Sequence, residues 1–153
     1  MYKKEKRDIR LFIVDLLVAI EKISNYIDSF EDKEEFRQDS LHWDASMRQL
    51  EIVGESLNKL LDDEQFHALS PKYFRKVVNF RNVIAHGYFG IDLDEVWDVV
   101  TNKLDMLKND VLSIIVNKID ITEAIEATII EKQKLNDIEI VDFLNTLLKE
   151  TQK

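Results

Sequence analysis

The chain has 153 residues, of which 45% are hydrophobic and 33% are charged, with no cysteine, three glycines and one proline. The length suits one domain with a sizeable core, and the missing cysteines exclude disulfide scaffolds and thiolate metal sites. So few turn-forming residues argue against sandwiches and barrels. With 21 basic and 30 acidic residues the net charge is −9, so any affinity for nucleic acid must come from a local patch.

Apolar residues recur at steps of three and four along nearly the whole chain, which predicts helices throughout. Before residue 90 the pattern predicts four elements in chain order: a helix over about 5–27, a turn of helix or loop over 31–36, a helix from about Ser40 to Leu61, and a helix that starts at Ser70 and Pro71 and ends before Gly87. The acidic runs at 31–32 and 62–64 are predicted to be solvated loops.

Three capping patterns predict the helices of the C-terminal half. They are Asp92 with Glu95 for a long helix through Ile115, Asp120 with Glu123 for a helix of about 120–135, and Asn136 with Glu139 for a helix of about 137–150. The predicted fold class is therefore all-α, an antiparallel helical bundle over residues 1–118 with a helical pair over 119–153 packed on the same domain. No uncharged stretch is long enough to span a bilayer, and the N-terminus lacks a signal-peptide cleavage site. We therefore expect a cytoplasmic protein without membrane partners.

The charge of one window differs from that of the rest of the chain. The 27 residues between Glu64 and Asp92 contain no acid, four basic residues and two of the three histidines. The other 126 residues hold 17 basic and 30 acidic side chains, a net charge of −13. The contrast favours an anionic ligand, with phosphate as the first candidate. The alternative is a core helix whose few surface positions happen to be basic.

An ideal helix over 71–86 separates the side chains of this window into a polar ridge and a core stripe. The ridge holds Arg75, Asn79, Asn82 and His86, and the stripe holds Tyr73, Val77, Phe80 and Ile84. Arg81 lies about 140° from His86, beside Phe74 and Val78 on the shoulder of the apolar face. A guanidinium there needs a partner. A carboxylate on another helix would supply one, and the alternative is that Arg81 reaches into a cleft or across a subunit interface.

Residues 81–88 read RNVIAHGY, an R-x4-H-x-Y motif at the C-terminal end of a bundle helix. Flanking patterns accompany the motif: Arg7-Asp8, Arg48-x-Leu50-Glu51-Ile52-Val53-Gly54-Glu55, and Tyr88-Phe89-Gly90-Ile91-Asp92 leading into Val96-Trp97. With them the chain resembles the HEPN superfamily over about residues 5–115, and specifically the HepT-like toxins of HepT–MNT toxin–antitoxin pairs.

The resemblance implies a type II toxin that is a metal-independent endoribonuclease without a cofactor, with its active cleft between the two protomers of a homodimer. Arg81 and His86 are the implied catalytic residues. His86 can change protonation near neutral pH and so act as acid or base, and Arg81 offers a charged fork to phosphate oxygens. Asn82 would bind the phosphate or orient the imidazole ring. Arg75 and Lys76 are candidate supporting contacts to RNA, with ordinary surface solvation as their alternative.

At Tyr88 the resemblance implies modification by the MNT nucleotidyltransferase antitoxin. Transfer of AMP to Tyr88 would give O-AMP-tyrosine, place phosphate and bulk in the cleft, and exclude RNA. A half-buried structural anchor is the alternative for this tyrosine. Two alternatives remain for the whole protein: a non-catalytic dimeric module that binds RNA or a protein partner, and an unrelated bundle with a chance motif. The histidines lack metal-ligand spacing, so no metal site is predicted.

Overall fold

The computed structural model describes residues 7–86 and 91–152, and the backbone but not the side chain of His86. Over these residues the chain is all-α, without a strand, as predicted. Nine helices and one π-helical segment follow in chain order: α1 (Ile9–Ile27), α2 (Lys33–Gln38), α3 (Ser40–Leu61), α4 (Glu64–Leu69), α5 (Tyr73–His86), α6 (Leu93–Asp98), the π segment (Val99–Lys103), α7 (Leu104–Ile115), α8 (Thr122–Lys134) and α9 (Ile138–Thr151). None of the described helices combines the length and hydropathy of a membrane span.

The first helix, α1, lies at the centre of the fold. Every residue from Ile13 to Ile20 is buried except Asp15. The reason is that α3 packs along one side of α1, while α7, α8, α9 and the π segment cover other sides. A helix with neighbours on several sides has to be apolar around most of its circumference.

Aspartate side chains cap the first turn of five helices by accepting backbone N–H bonds. They are Asp8, Asp32, Asp39, Asp63 and Asp92. The acidic runs predicted as loops therefore contain the caps of α2 and α4. The prediction of Ser40 as an N-cap is wrong by one residue, since Asp39 accepts from the His42 backbone N–H at 3.0 Å. Carboxylates and hydroxyls cap almost equally well, so adjacent Asp and Ser leave the first residue ambiguous.

The helix predicted to start at Ser70 and Pro71 begins slightly later. Ser70 ends α4, and its hydroxyl donates to the Phe66 carbonyl at 2.6 Å. The Pro71 carbonyl accepts from the Phe74 N–H at 3.2 Å, which forms a turn before α5 starts at Tyr73. Helix α5 reaches His86, and its predicted end before Gly87 stays a prediction because residues 87–90 lie outside the described residues.

In the C-terminal half the predicted helices are present with three corrections. Asp120 is not the N-cap of α8, which is Ile121, although the Asp120 carboxylate accepts from the Thr122 N–H at 2.9 Å. The long helix after Asp92 is interrupted by the π segment, within which the Thr101 hydroxyl donates to the Trp97 carbonyl. Asn136 is not a cap, because its φ of 55° places it in the left-handed turn that joins α8 to α9. Left-handed backbone suits asparagine among non-glycine residues.

Helices α8 and α9 pack against each other and against α1. Ile125 of α8 and Leu144 of α9 are 0% exposed. Both residues belong to the same hydrophobic core as the buried residues of α1. Fully burying side chains of this size stabilises the fold by about 1.5–3 kcal/mol each.

Helix α5 lies antiparallel to α3. The Arg75 guanidinium donates to the Asn58 side chain at 3.3 Å near the end of α3, while Ile84 shares a cleft with Met47 in the first half of α3. This packing places the C-terminal end of α5 beside the N-terminal half of α3.

The predicted core stripe of α5 is partly wrong. Phe80 and Ile84 are buried as expected, but Tyr73 and Val77 are only half-buried. The fully buried position at the start of the helix is Phe74 instead, and Val78 follows it at 7% exposure. The apolar face of α5 is broad enough to pack on α3 in several rotations about the helix axis. The close contact between Arg81 and Gly54 selects the rotation that buries Phe74.

Candidate functional site

The stem of Arg81 packs directly on the backbone of α3 at Gly54. A Cβ added to Gly54 would lie 2.3 Å from the Arg81 Cβ and 2.8 Å from its Cγ. Glycine within a helix costs about 1 kcal/mol relative to alanine. At this position the missing side chain is what allows α5 and the Arg81 stem to approach α3 so closely.

The head of Arg81 is held at the surface by two long hydrogen bonds. Its Nη2 donates to Glu55 Oε1 at 3.4 Å, and its Nη1 donates to Asn82 Oδ1 at 3.3 Å. The Arg81 side chain is 35% exposed and that of Glu55 is 47% exposed. The predicted position of Arg81 on the shoulder of the helix is confirmed, and the carboxylate on another helix is Glu55.

The Nε of Arg81 is buried and has no acceptor among the described residues. Leaving a buried donor unpaired costs about 1–3 kcal/mol. A guanidinium has five N–H groups, and here one is buried without a partner and two make only long bonds. The other terminal N–H groups make no hydrogen bond among the described residues, and the side chain is 35% exposed, so Arg81 keeps donors for an incoming oxyanion.

Three of the candidate residues meet along the junction of α3 and α5. Arg75, Asn79 and Asn82 are exposed, as the predicted polar ridge requires. The bonds from Arg75 to Asn58 and from Arg81 to Glu55 place both arginines of α5 against polar residues of α3. Arg75, Arg81 and Asn82 therefore form one polar strip, which we call the α3–α5 seam.

Lys76 is not part of this seam. It lines a separate cleft of about 320 Å³ beside α6, together with Glu95 and Asp98. Lys103 lines the same cleft and pairs with Asp98 at 4.0 Å. The surroundings of Lys76 therefore differ from those of Arg75, the preceding residue in the chain.

The remaining two candidates are His86 and Tyr88, which lie at the edge of the described residues and outside them. His86 is the last residue of α5, five positions and about 7.5 Å along the helix axis from Arg81. Its side chain and the whole of Tyr88 lie outside the described residues. The predictions about both side chains therefore stay predictions.

A cleft of about 580 Å³ lies at the C-terminal end of α5. Its lining combines apolar residues of α5 and α6 with charged residues of α2 and α3: Arg37, Trp43, Asp44, Met47, Arg48, Glu51, Ile84, Ile91 and Leu93. The Arg37 guanidinium stacks 4.6 Å from the centroid of the Trp43 ring, and Arg48 donates to Glu51 at 3.3 Å. Two arginines opposite two acids make this α5-end cleft polar but close to neutral.

Sequence reasoning missed two residues that now stand near the candidate site. Glu55 belongs to the quoted flanking pattern but had no role until its contact with Arg81 was known. Arg37 follows an acidic stretch and carries no motif, so nothing in the sequence distinguishes it. Both are assigned by contacts between helices, which periodicity alone does not report.

The described residues contain no cluster of three or more histidine and acidic side chains that could hold a metal ion. The α3–α5 seam offers instead a fixed guanidinium, a carboxylate and amide groups. Such a set can bind an oxyanion through charge-assisted hydrogen bonds.

Comparison with known proteins gives one family. The model of a family described as "Ribonuclease HepT-like" matches residues 16–114. That span includes Gly54, Glu55 and the motif from Arg81 to His86, and it leaves α8 and α9 outside.

Curated relatives point to the same family. A Thermococcus cleftensis protein named "Probable ribonuclease HepT" is 32% identical over 106 residues, which is 67% of this chain and 92% of the relative. Two Methanocaldococcus jannaschii proteins, each named a "Putative RNase", are 31% and 33% identical over 114 and 102 residues. These matches cover 72% and 65% of this chain, and 93% and 80% of the relatives. No solved structure matches the chain.

Proposed function

Because the chain belongs to the HepT-like ribonuclease family, we propose that it cleaves RNA without a metal ion, at a site that contains Arg81 and His86. The observation that carries the proposal is the placement of Arg81. Its stem packs against Gly54, and its side chain is 35% exposed, with terminal N–H groups left over from the hydrogen bonds to Glu55 and Asn82. A fixed guanidinium at the surface is suited to bind a phosphodiester.

The chemistry needs a base, an acid and a cation. A base removes the proton of a ribose 2′-OH, and the 2′-oxygen then attacks the adjacent phosphorus. The 5′-oxygen leaves with a proton from an acid, so the products are a 2′,3′-cyclic phosphate and a 5′-hydroxyl. His86 supplies acid–base catalysis, worth about 10²–10⁴-fold in rate. Arg81 stabilises the negative charge on the phosphorane oxygens, the role that a metal ion would otherwise take.

The active form is a homodimer with a composite site. Arg81 and His86 lie about 140° apart on an ideal helix, so one copy of α5 does not aim both at one phosphate. A two-fold axis beside the ends of two α5 helices would bring the arginine of one protomer near the histidine of the other. Asn82 and Arg75 would support RNA binding along the α3–α5 seam. Lys76, in its separate cleft, would contact RNA only beyond the cleavage site.

The cellular role that fits this activity is the toxin of a type II toxin–antitoxin pair. The partner is an MNT-type nucleotidyltransferase that attaches AMP to Tyr88. Tyr88 is two residues beyond His86, so a modified tyrosine would lie next to the catalytic helix end. The added phosphate and nucleoside would then compete with RNA for Arg81.

The proposed activity is tested by incubating total RNA with the purified protein in the presence of EDTA. We expect cleavage by wild type and by a His67→Ala control, since His67 is exposed on α4 and outside the motif. Arg81→Ala and His86→Ala should each lose at least about 10²-fold in rate. Equal cleavage by all four proteins would exclude the catalytic assignment.

The same experiment addresses the second candidate function, a non-catalytic binding module. The net charge of −9 favours the form of that alternative in which the partner is a protein, because overall charge opposes RNA binding. Absence of cleavage by the wild-type dimer would favour a binding module in place of the ribonuclease, and RNA binding in the same assay would tell an RNA partner from a protein partner.

Modification of Tyr88 is tested by co-expression with a nucleotidyltransferase encoded next to the gene. Intact mass should rise by one or more AMP units in wild type and in the Tyr26→Phe control. Tyr88→Phe should remain unmodified and toxic in cells. Modification of Tyr88→Phe to the wild-type extent would place the target elsewhere.

A further inference from the structure

A cleft of about 490 Å³ lies between α1, α3 and α8, and no residue of α5 lines it. Three lysines converge on it, one from each helix: Lys22, Lys59 and Lys132. We call it the lysine cleft. Its volume falls within the range of about 300–1,000 Å³ that is usual for small-molecule sites.

None of the three ammonium groups forms an ion pair within 4.0 Å among residues 7–86 and 91–152. Two of the three acids in the lining are already engaged, because Asp15 pairs with Arg7 and Glu55 pairs with Arg81. Glu131 is the third acid. In a chain with nine more acids than bases, this is a local excess of positive charge.

The partly buried walls of the lysine cleft make this excess of positive charge energetically unfavourable. Lys22 is half-buried, and burial, followed by the nearby charge of Lys132, lowers its pKa, while the charges of Asp137 and Glu131 offset part of that shift. The wall of the cleft is apolar at Val18, Ala19 and Ile52. Like charges in partly apolar surroundings repel each other, and a bound anion would relieve that repulsion.

We propose that the lysine cleft is a second phosphate-binding site, in which Lys22, Lys59 and Lys132 bind the phosphate of a ligand. Lysine binds phosphate as a mobile point charge, and ammonium groups from three helices can surround one polyanion. The phosphate belongs either to a small free molecule or to an RNA strand. Because α8 supplies Lys132 and lies outside the matched span 16–114, the site depends on the C-terminal helical pair.

Glu55 links the two sites. The same carboxylate lines the lysine cleft and accepts from Arg81. An anion bound beside Lys59 would change the electrostatic potential at the Glu55 carboxylate. The strength of the ion pair between Glu55 and Arg81 would change with it. The binding proposal itself does not require that Arg81 or His86 be catalytic.

The test is calorimetric titration at low ionic strength, with inorganic pyrophosphate as one probe and a 2′-O-methyl oligonucleotide that resists 2′-OH cleavage as the other. Lys22→Gln and Lys132→Gln should each weaken binding about tenfold or more, the loss of one charge-assisted hydrogen bond. Lys149→Gln, an exposed position of α9 outside the cleft, is the matched control and should bind like wild type. Arg81→Ala releases Glu55 and should change binding in the lysine cleft by less than the lysine substitutions do, which separates this site from the α3–α5 seam.

The two probes distinguish the sources of the phosphate. Lysine-dependent binding of pyrophosphate that the oligonucleotide does not displace assigns a small free ligand, and displacement assigns an RNA strand. If Lys22→Gln fails to fold by circular dichroism, Lys59→Gln replaces it. Absence of binding by both probes, equal affinity in all variants, or a loss of binding with Arg81→Ala as large as that with Lys22→Gln would overturn the proposal.

Discussion

Gly54 and Arg81 approach so closely that a methyl group on the glycine would lie 2.3 Å from the arginine Cβ. Real Cβ atoms do not come this near to other heavy atoms. The two stretches that carry the family resemblance, residues 48–55 and 81–88, therefore meet in the folded chain at this contact. A backbone position on α3 thus fixes where the Arg81 guanidinium lies.

Gly54→Ala should destabilise the protein. The added methyl group forces α3 and α5 apart, and such overpacking costs about 1–3 kcal/mol. Alanine gains about 1 kcal/mol of helix propensity over glycine, which offsets only part of that cost. Urea denaturation should therefore show a lower free energy of unfolding.

The identity of the clashing atom supplies a control. Arg81→Ala keeps the Cβ that lies 2.3 Å away and removes only the Cγ at 2.8 Å, so Gly54→Ala should keep most of its cost in that background. Arg81→Gly removes the Cβ and should cancel most of the cost. Equal costs in both backgrounds would show that some other contact excludes a side chain at Gly54.

Asp63→Ala should cost about 1 kcal/mol of stability. The Asp63 carboxylate accepts from the Phe66 N–H at 3.0 Å and starts α4, whose Phe66 side chain is 0% exposed. The preceding acid, Asp62, is exposed at the end of α3, and Asp62→Ala is the matched control. Thermal denaturation that shows the same loss for both variants would exclude the capping role.

The contrast between these two acids shows what the sequence can and cannot predict. Long amphipathic helices such as α1 and α3 were predicted within a few residues, because an apolar period repeated over several turns is hard to mistake. The six-residue helix α4 was missed, since one and a half turns give no period. Its capping acid then looked like a residue of a solvated loop.

The candidate site divides in the same way. The position of Arg81 on the shoulder of α5 follows from helix geometry within one element, and it was predicted. The contacts with Gly54 and Glu55 join residues 26 or more positions apart, and no local pattern reports such pairs. The rotation of α5 that buries Phe74 depends on the same contact, which is why the predicted stripe was partly wrong.

Tyr73→Phe should change how stability depends on pH. The Tyr73 hydroxyl donates to Asp110 and joins α5 to α7. Burial, and then the hydrogen bond to Asp110, raise the pKa of Tyr73 well above its usual value near 10. The folded state therefore keeps this proton where the unfolded chain loses it. The stabilising contribution is complete below about pH 10 and declines as pH rises toward the raised pKa.

Urea unfolding of wild type and Tyr73→Phe at pH values from 8 to about 11 measures the effect. Wild type should lose stability more steeply above about pH 10 than the variant does. Asp110→Asn removes the carboxylate charge and should give an intermediate slope. Parallel curves for all three proteins would mean that Tyr73 ionises as freely in the folded state as in the unfolded chain.

Mixing two inactive variants tests the composite site of the dimer. In a heterodimer of Arg81→Ala and His86→Ala protomers, one of the two sites combines an intact arginine with an intact histidine. Random exchange makes half of the dimers mixed, so about a quarter of the wild-type cleavage should return. Mixing His86→Ala with an Arg81→Ala/His86→Ala double variant leaves no intact histidine and should restore nothing. If the first mixture also stays inactive after verified subunit exchange, each protomer uses its own Arg81 and His86, and the pairing across the two-fold axis is wrong.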